Sequence, residues 1–267
     1  MKRLSVRALI VGAFITTAFL TLQCNKTTQT SPLTQSDEYT YVSGAEEGLL
    51  FKDGTEGMED IIECIYTCLN SMPVENLSNS EIATLNFVRE EELLARDVYL
   101  AMYGLYGIPV FHNISNSEEI RSTAFQALLE KYNLPDPGAN HTQGVFQNED
   151  IQALYDQLIE QGSQSLEDAL IVGETIEDLD IADLIDHIEN DVDNADITYA
   201  LEQLYRGSRN HLRAFYGHLN FHNITYTPQF ISQELYDEIV NSPWEVGNGF
   251  CVCNFNMSKT EQQTDTE

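Results

Sequence analysis

Between residues 77 and 240 the apolar residues recur three and four positions apart over long runs, and no run alternates with period two. That spacing places apolar side chains along one side of a helix, whereas a half-buried strand needs strict alternation. The pattern predicts an all-helical body in which several helices bury their stripes against one another. Five helices are expected. The first covers Glu81 to Tyr106, with Ser80 as its cap, Ser78 and Asn79 as alternatives, and Gly104 and Gly107 near its end. Ile108 to Ser115 then reads as a loop. A second helix starts from a Ser117 cap and runs to Tyr132, where Leu134-Pro135-Asp136-Pro137-Gly138 breaks it. A third spans Asn148 to Gln161. A fourth spans Ser165 to Glu189, with Asp168 three residues after its cap. A fifth runs from Asp196 to Leu219, and a short helix follows Pro228.

The stripes are not wholly apolar. Leu85, Val88, Glu92, Ala95 and Tyr99 share one side of the first helix, so Glu92 faces the interior; a second stripe, Phe87, Glu91, Leu94 and Val98, makes Glu91 a rival and leaves Glu90 outside. In the second helix Glu118 and Arg121 share a face with Phe125 and Leu128. In the fourth, Glu174, Glu177, Ile181 and Leu184 line one side. In the fifth, His211 stands in the stripe Leu204, Ser208, His211, Phe215. A single inward Glu or His has a bland reading, as a dipole complement or a satisfied core residue. Four helices each bringing one inward is a different matter, because a buried carboxylate is costly unless it is paired or bound to metal. Facing helices that converge carboxylates and imidazole are how bundles hold di-iron or di-manganese sites.

At these residues the sequence resembles a known family. R-E-E-E-L-L-A-R-D-V-Y at 89–99, F-x-N-I-S-x-S-E at 111–118, V-G-x-x-I-E-x-x-D-I at 172–181 and G-S-x-N-H-L-R-A-F at 207–215 are similar to the ferritin-like family called domain of unknown function 2202. The resemblance covers residues 77–240. It implies a ferritin-like antiparallel four-helix bundle with an additional short helix and disordered ends. It also implies iron or manganese at Glu92, Glu118, Glu177 and His211, with Glu174 as an extra carboxylate, Tyr99 supporting a ligand, and oxidative chemistry at the metal. Two departures stand against that. Arg121 occupies the place of the histidine in the expected Glu-x-x-His, and the last helix lacks the glutamate expected by comparison with ferritins, with Gly207 and Ser208 nearby. Arg121 cannot ligate a metal, but it can pair with carboxylates. The alternative is therefore a metal-free bundle, a binding or structural module of the cell envelope with no cofactor.

The charge of the chain, 13 Lys+Arg against 43 Asp+Glu and a net of -30, argues against nucleic acid and anionic membrane surfaces as partners and favours cations. Lys2, Arg3 and Arg7 precede an apolar stretch, Ala8 to Leu22, that is short for a membrane span and reads as an export signal. It ends at Thr21-Leu22-Gln23-Cys24, which resembles a bacterial lipoprotein site with Cys24 lipidated, although Gln23 stands where a small residue is usual. That places the protein in the cell envelope, periplasmic or at the surface, touching the membrane only through a lipid anchor; simple secretion and an uncleaved anchor are the alternatives. Segment 1–24 is then the signal, 25–76 a Thr/Ser/Gln-rich tether with a short helix, 77–240 the bundle, and 241–267 a polar tail. Cys64, Cys68, Cys251 and Cys253 remain after Cys24; an even number in an oxidising compartment favours disulfides joining the two ends, with a four-thiolate zinc site as the alternative. His218 and His222 are spaced like zinc ligands but lack the glutamate of a zinc-protease helix, and His141 falls in a loop. F-H-N-I-S at 111–115 and F-H-N-I-T at 221–225 form a repeat too short to define one, a coincidence or a shared turn.

Overall fold

The structure, a computed structural model, describes residues 56–246 and 249–251. The export segment, Cys24, the tether to residue 55 and Cys253 lie outside the described residues. The all-helical expectation holds: among the described residues there are seven α-helices and one 3-10 turn, and the β-structure is an isolated bridge between Thr142 and Val145. The helices are α1 (Glu56–Ser71), α2 (Asn79–Tyr106), α3 (Pro109–Lys131), α4 (Glu149–Gly162), α5 (Leu166–Asn190), α6 (Ala195–Phe221) and α7 (Gln233–Asn241), followed by the turn Gly249–Cys251. Among the described residues no helix is long and apolar enough to cross a membrane.

Local chemistry sets the boundaries. Ser78, not Ser80, caps α2: its hydroxyl accepts the Glu81 N–H, and Glu81 Oε2 accepts the Ser78 N–H at 2.7 Å. At the far end Gly107 takes φ 66°, which a residue with a Cβ resists, and returns its N–H to Tyr103 O. The expected loop at Ile108 to Ser115 is helical from Pro109 on, with Ile108 as the extended cap. Pro109 opens α3 rather than breaking it, because the first turn of a helix needs no N–H there and proline's fixed φ already suits it. Ser117 is therefore an interior residue of α3, not its cap. The two F-H-N-I segments share no structure: the first lies in α3, while the second runs off the end of α6 through Asn223 at φ 59°.

α2 packs chiefly along α3 and α5 along α6, and the two hairpins meet through α3–α6 and α2–α5 contacts. Carboxylates and one arginine then pin the loops to this frame. Arg89 grips Asp136 with two nitrogens at 3.0 and 3.2 Å. Glu90, expected outside, is only 5% exposed, and one of its oxygens accepts the N–H groups of Gln147 and Asn148 at 2.6 and 3.1 Å. Asp97 accepts from Gly144 N and pairs with His141 Nε2, both at 2.7 Å. The segment between α3 and α4 lies across the outer side of α2, which is why that side is charged and still buried. Asp178 does the same for the segment before α7, accepting from Tyr226, Gln229, Phe230 and Ile231. A disulfide, Cys64–Cys251, joins α1 to the C-terminal turn, so Cys64 is not a zinc thiolate. Cys68 is also disulfide-bonded.

Two large apolar clusters fill the bundle interior, and a smaller one, Ile181, Leu212, Tyr236 and Ile239, lies beneath α7. One large cluster holds Leu85, Val88, Phe125, Leu128, Ile197 and Leu201 together with Ile65 and Leu69 of α1. The other holds Val98, Tyr99, Met102, Phe111, Val172 and Phe215. Each of α2, α3, α5 and α6 contributes to both, and each crosses between them with polar residues: Glu91 and Glu92, Glu118 and Arg121, Glu177 and Asp180, Ser208 and His211. α5 and α6 approach closely in the second cluster because residue 173 is glycine. A Cβ there would sit 2.3 Å from the fully buried Phe215 ring, itself wedged against Tyr99 and Phe111. Gly173→Ala is therefore expected to destabilise the protein by about 1–3 kcal/mol in denaturant unfolding, through overpacking that the ring cannot relieve.

Candidate metal centre

The polar layer between the two clusters is organised by Arg121. Its Nη2 donates to Glu92 Oε1 at 3.0 Å, Asp180 Oδ2 at 2.6 Å and Ser208 Oγ at 2.8 Å, and its Nη1 lies 3.4 Å from Glu118 Oε1. Nε is 2.9 Å from Glu92 Oε2. Gly207 backs the guanidinium, where a Cβ would lie 3.8 Å from Nη1. Arg121 thus fills the space next to the small residues Gly207 and Ser208, near which the expected glutamate of the last helix is missing.

Beside the guanidinium, Glu118, Glu177 and His211 each direct one ligand atom into a common space, all within 4.8 Å of one another. His211 Nδ1 lies 2.8 Å from Glu118 Oε1, 3.4 Å from Glu177 Oε2 and 3.3 Å from Arg121 Nη1. Its Nε2 is 3.0 Å from Ser117 Oγ. Glu118 Oε2, although 3.2 Å from Arg121 Nη1, accepts no hydrogen bond. The Tyr99 hydroxyl donates to Glu177 Oε1. Of the residues expected as ligands, these three converge. Glu92 is instead committed to Arg121 and to a hydrogen bond with Glu118. Glu174 faces α7, where the Tyr236 hydroxyl donates to its Oε1 at 2.6 Å.

Asp180 and Asp183 were not singled out by stripe analysis, yet they belong to the same layer, as does Glu91, the rival that the second stripe of the first helix named. Asp180 takes Arg121 and Ser208 on one oxygen, and Glu91 shares a carboxyl–carboxylate hydrogen bond with Asp183. A signal was available: acids recur every third residue along α5, at Glu174, Glu177, Asp180, Asp183 and Asp186. A cavity of about 10 Å³ is lined by Glu91, Glu92, Glu118, Glu177 and Asp180, close to the room one water-sized occupant needs.

Buried without full compensation, these groups move far from their ordinary proton affinities. Burial raises Glu91 and Glu92 well above the usual carboxylate range, Arg121 partly offsetting the effect at Glu92. Burial likewise raises Glu177, against the pull of His211, and raises Glu174. Burial and neighbouring Asp180 lift Asp183 to about 7. Glu118 goes the other way: burial opposes its charge, but Arg121 and His211 outweigh that and lower it to about 2. Burial opposes the imidazolium of His211, but Glu118 and Glu177 raise it to about 9. Without a metal, then, His211 carries a proton on Nδ1 and donates it to Glu118. With that proton removed, the same lone pair points at the two carboxylates, and Ser117 holds the opposite ring nitrogen as an outer partner does for a metal-ligating histidine. The donor set fits a divalent transition metal: carboxylate oxygens with one imidazole nitrogen.

The chain belongs to the family described as an uncharacterized protein domain, DUF2202, which it matches over residues 81–243. Among its relatives is the uncharacterized protein MJ0754 of Methanocaldococcus jannaschii, 50% identical over 179 residues that make up 67% of this chain and 96% of the relative. The crystal structure of that organism's hypothetical protein MJ0754 is similar to this fold, with a TM-score of 0.64 at 49% identity, over 65% of this chain and 99% of the other.

Two predictions follow from the charge pattern. Removing the guanidinium with Arg121→Met leaves Glu92 and Asp180 buried without their partner and is expected to cost about 3–5 kcal/mol in equilibrium unfolding of the metal-free protein. The pH response has a definite sign. His211, raised in the fold, contributes stability that is present below about 6.5 and lost as pH rises through about 9. Asp183, also raised, contributes stability that is lost as pH rises through about 7. The melting temperature of the metal-free protein should therefore fall from pH 5.5 to pH 9, and Asp183→Asn should shrink the part of that fall below pH 8.

Proposed function

We propose that this chain is an exported ferritin-like protein that binds a divalent transition-metal ion, iron or manganese, in the polar layer of its bundle. Glu118, Glu177 and His211 would hold the ion, and Arg121 would occupy the neighbouring position that a second ion takes in a dinuclear centre. The observation that carries this reading is the convergence of those three ligand atoms within 4.8 Å, beside a buried Glu118 oxygen that accepts no hydrogen bond. Bound iron would supply one-electron redox chemistry. The protein's own part is to position: Tyr99 fixes Glu177, Ser117 fixes the outer nitrogen of His211, and Arg121 holds Glu92 and Asp180 so that the layer's negative charge is partly matched before any ion arrives. Export is supported by the Lys2-to-Leu22 pattern and by the Cys64–Cys251 disulfide, a bond that persists in oxidising compartments. Lipidation at Cys24 and an envelope location belong to the same reading.

The contacts of Arg121 with Glu92, Asp180 and Ser208 favour a second reading, a metal-free bundle that serves as a binding or structural module. Elemental analysis separates the two. The full chain, produced with iron and manganese supplied, should retain near-stoichiometric metal after gel filtration, and His211→Ala and Glu118→Gln should each lose it while keeping their helical circular dichroism. Trace metal in the folded wild-type protein would establish the second reading and end the first.

A further inference from the structure

The acids of α5 do not stay on one side of the helix. Three residues advance a helix by about 4.5 Å and turn it about 60° short of a full revolution, so acids repeated every third residue climb and wind. Here they also pass from inside to outside: Glu177 is 1% exposed, Asp180 6%, Asp183 half-buried and Asp186 exposed. Glu91 of α2 faces this line and hydrogen-bonds Asp183. Along it Asp180 Oδ1 is a buried atom that accepts nothing, while Glu91 and Asp183 answer each other across the two helices. In a folded protein such orphaned acceptors are few and costly. Arg121 takes only the other oxygen of Asp180. The small cavity is bordered by Glu118 and Glu177 and also by Asp180, Glu91 and Leu154 of α4, so the inner end of this line adjoins open space. A solvated acidic face would account for Asp186, but not for Glu91 and Asp180, which are buried.

We infer that Asp186, Asp183, Glu91 and Asp180 form an entry route along which a divalent cation passes from solvent to Glu118, Glu177 and His211. The inference rests on the metal reading above and adds to it a path. Exposed Asp186 collects the ion, the Asp183–Glu91 pair opens to receive it and Asp180 Oδ1 hands it inward. Each station offers carboxylate oxygens without the imidazole that would hold the ion in place.

The test uses the metal-free full chain and Co²⁺, whose visible absorption appears on binding, followed in a stopped-flow instrument at low salt. Asp183→Asn/Asp186→Asn should bind the same final amount of Co²⁺ as wild type at a rate about tenfold lower, within the range that local charge gives to on-rates. Asp186→Asn alone, a surface change that leaves the fold intact, should slow uptake by a smaller factor. Glu160→Gln/Glu167→Gln, which removes as much charge from exposed sites elsewhere, should leave the rate unchanged. Equal rates for wild type and Asp183→Asn/Asp186→Asn at full occupancy would overturn the route while leaving the metal site standing. Loss of occupancy in that variant would also overturn it, by making these carboxylates holders of the ion instead of stations. No uptake by wild type would remove the site and the route together.

Discussion

The guanidinium of Arg121 is the interaction on which the interior depends. Two apolar clusters would make a sufficient core by themselves, yet the bundle sets between them a layer containing Glu91, Glu92, Glu118, Glu177 and Asp180. Those carboxylates cannot all be ionised in a dry interior; they must share protons, meet fixed positive charge, or bind a cation. Arg121 is the fixed charge, and it reaches three helices besides its own, through Glu92 on α2, Asp180 on α5 and Ser208 on α6. The layer therefore also fixes the register of the helices, because sliding one by a turn would strand a charge. Arg121 satisfies only part of the negative charge, and the remainder is the chemical reason to look for a cation.

Most of the buried acids among the described residues fall into two kinds. Glu81, Glu90, Asp97 and Asp178 each accept backbone N–H groups from a loop. Their charge is answered by peptide dipoles, and their task is to hold connections against the frame. Glu91, Glu92, Glu118, Glu177 and Asp180 have side chains alone for partners. Burial by itself does not separate the two kinds, nor does position within a motif: Glu90, Glu91 and Glu92 are consecutive, and the first anchors a loop while the other two enter the layer.

The fold was legible because helical spacing is a local property. Leu85, Val88, Ala95 and Tyr99 announce α2 whatever surrounds it, and Asn148 and Ser165 mark helix starts through hydrogen bonds to N–H groups two or three residues on. The inward direction of Glu92, Glu118, Glu177 and His211 was legible for the same reason. What escaped depended on distant partners. Glu90 looked external because a stripe argument allows each helix one buried side, but the segment around Gln147 covers the other side of α2. Ile108 to Ser115 looked like a loop because the place of Pro109 at a first turn depends on where the preceding helix ends, at Gly107. Asp180 fell outside the apolar stripe and was recruited by an arginine on another helix.

The disulfide between Cys64 and Cys251 spans 187 residues of sequence, enclosing every helix from α2 to α7 within a covalent ring. In the chain-entropy view, closing so long a loop restrains the unfolded ensemble by about 5 kcal/mol. It also changes what damage means for this molecule. A protease that cuts a connecting segment, such as the one between α3 and α4, opens the ring but releases neither piece. The severed halves stay at high mutual concentration and can pack again around the same charged layer, so a nicked chain would remain one molecule until a reductant reached it.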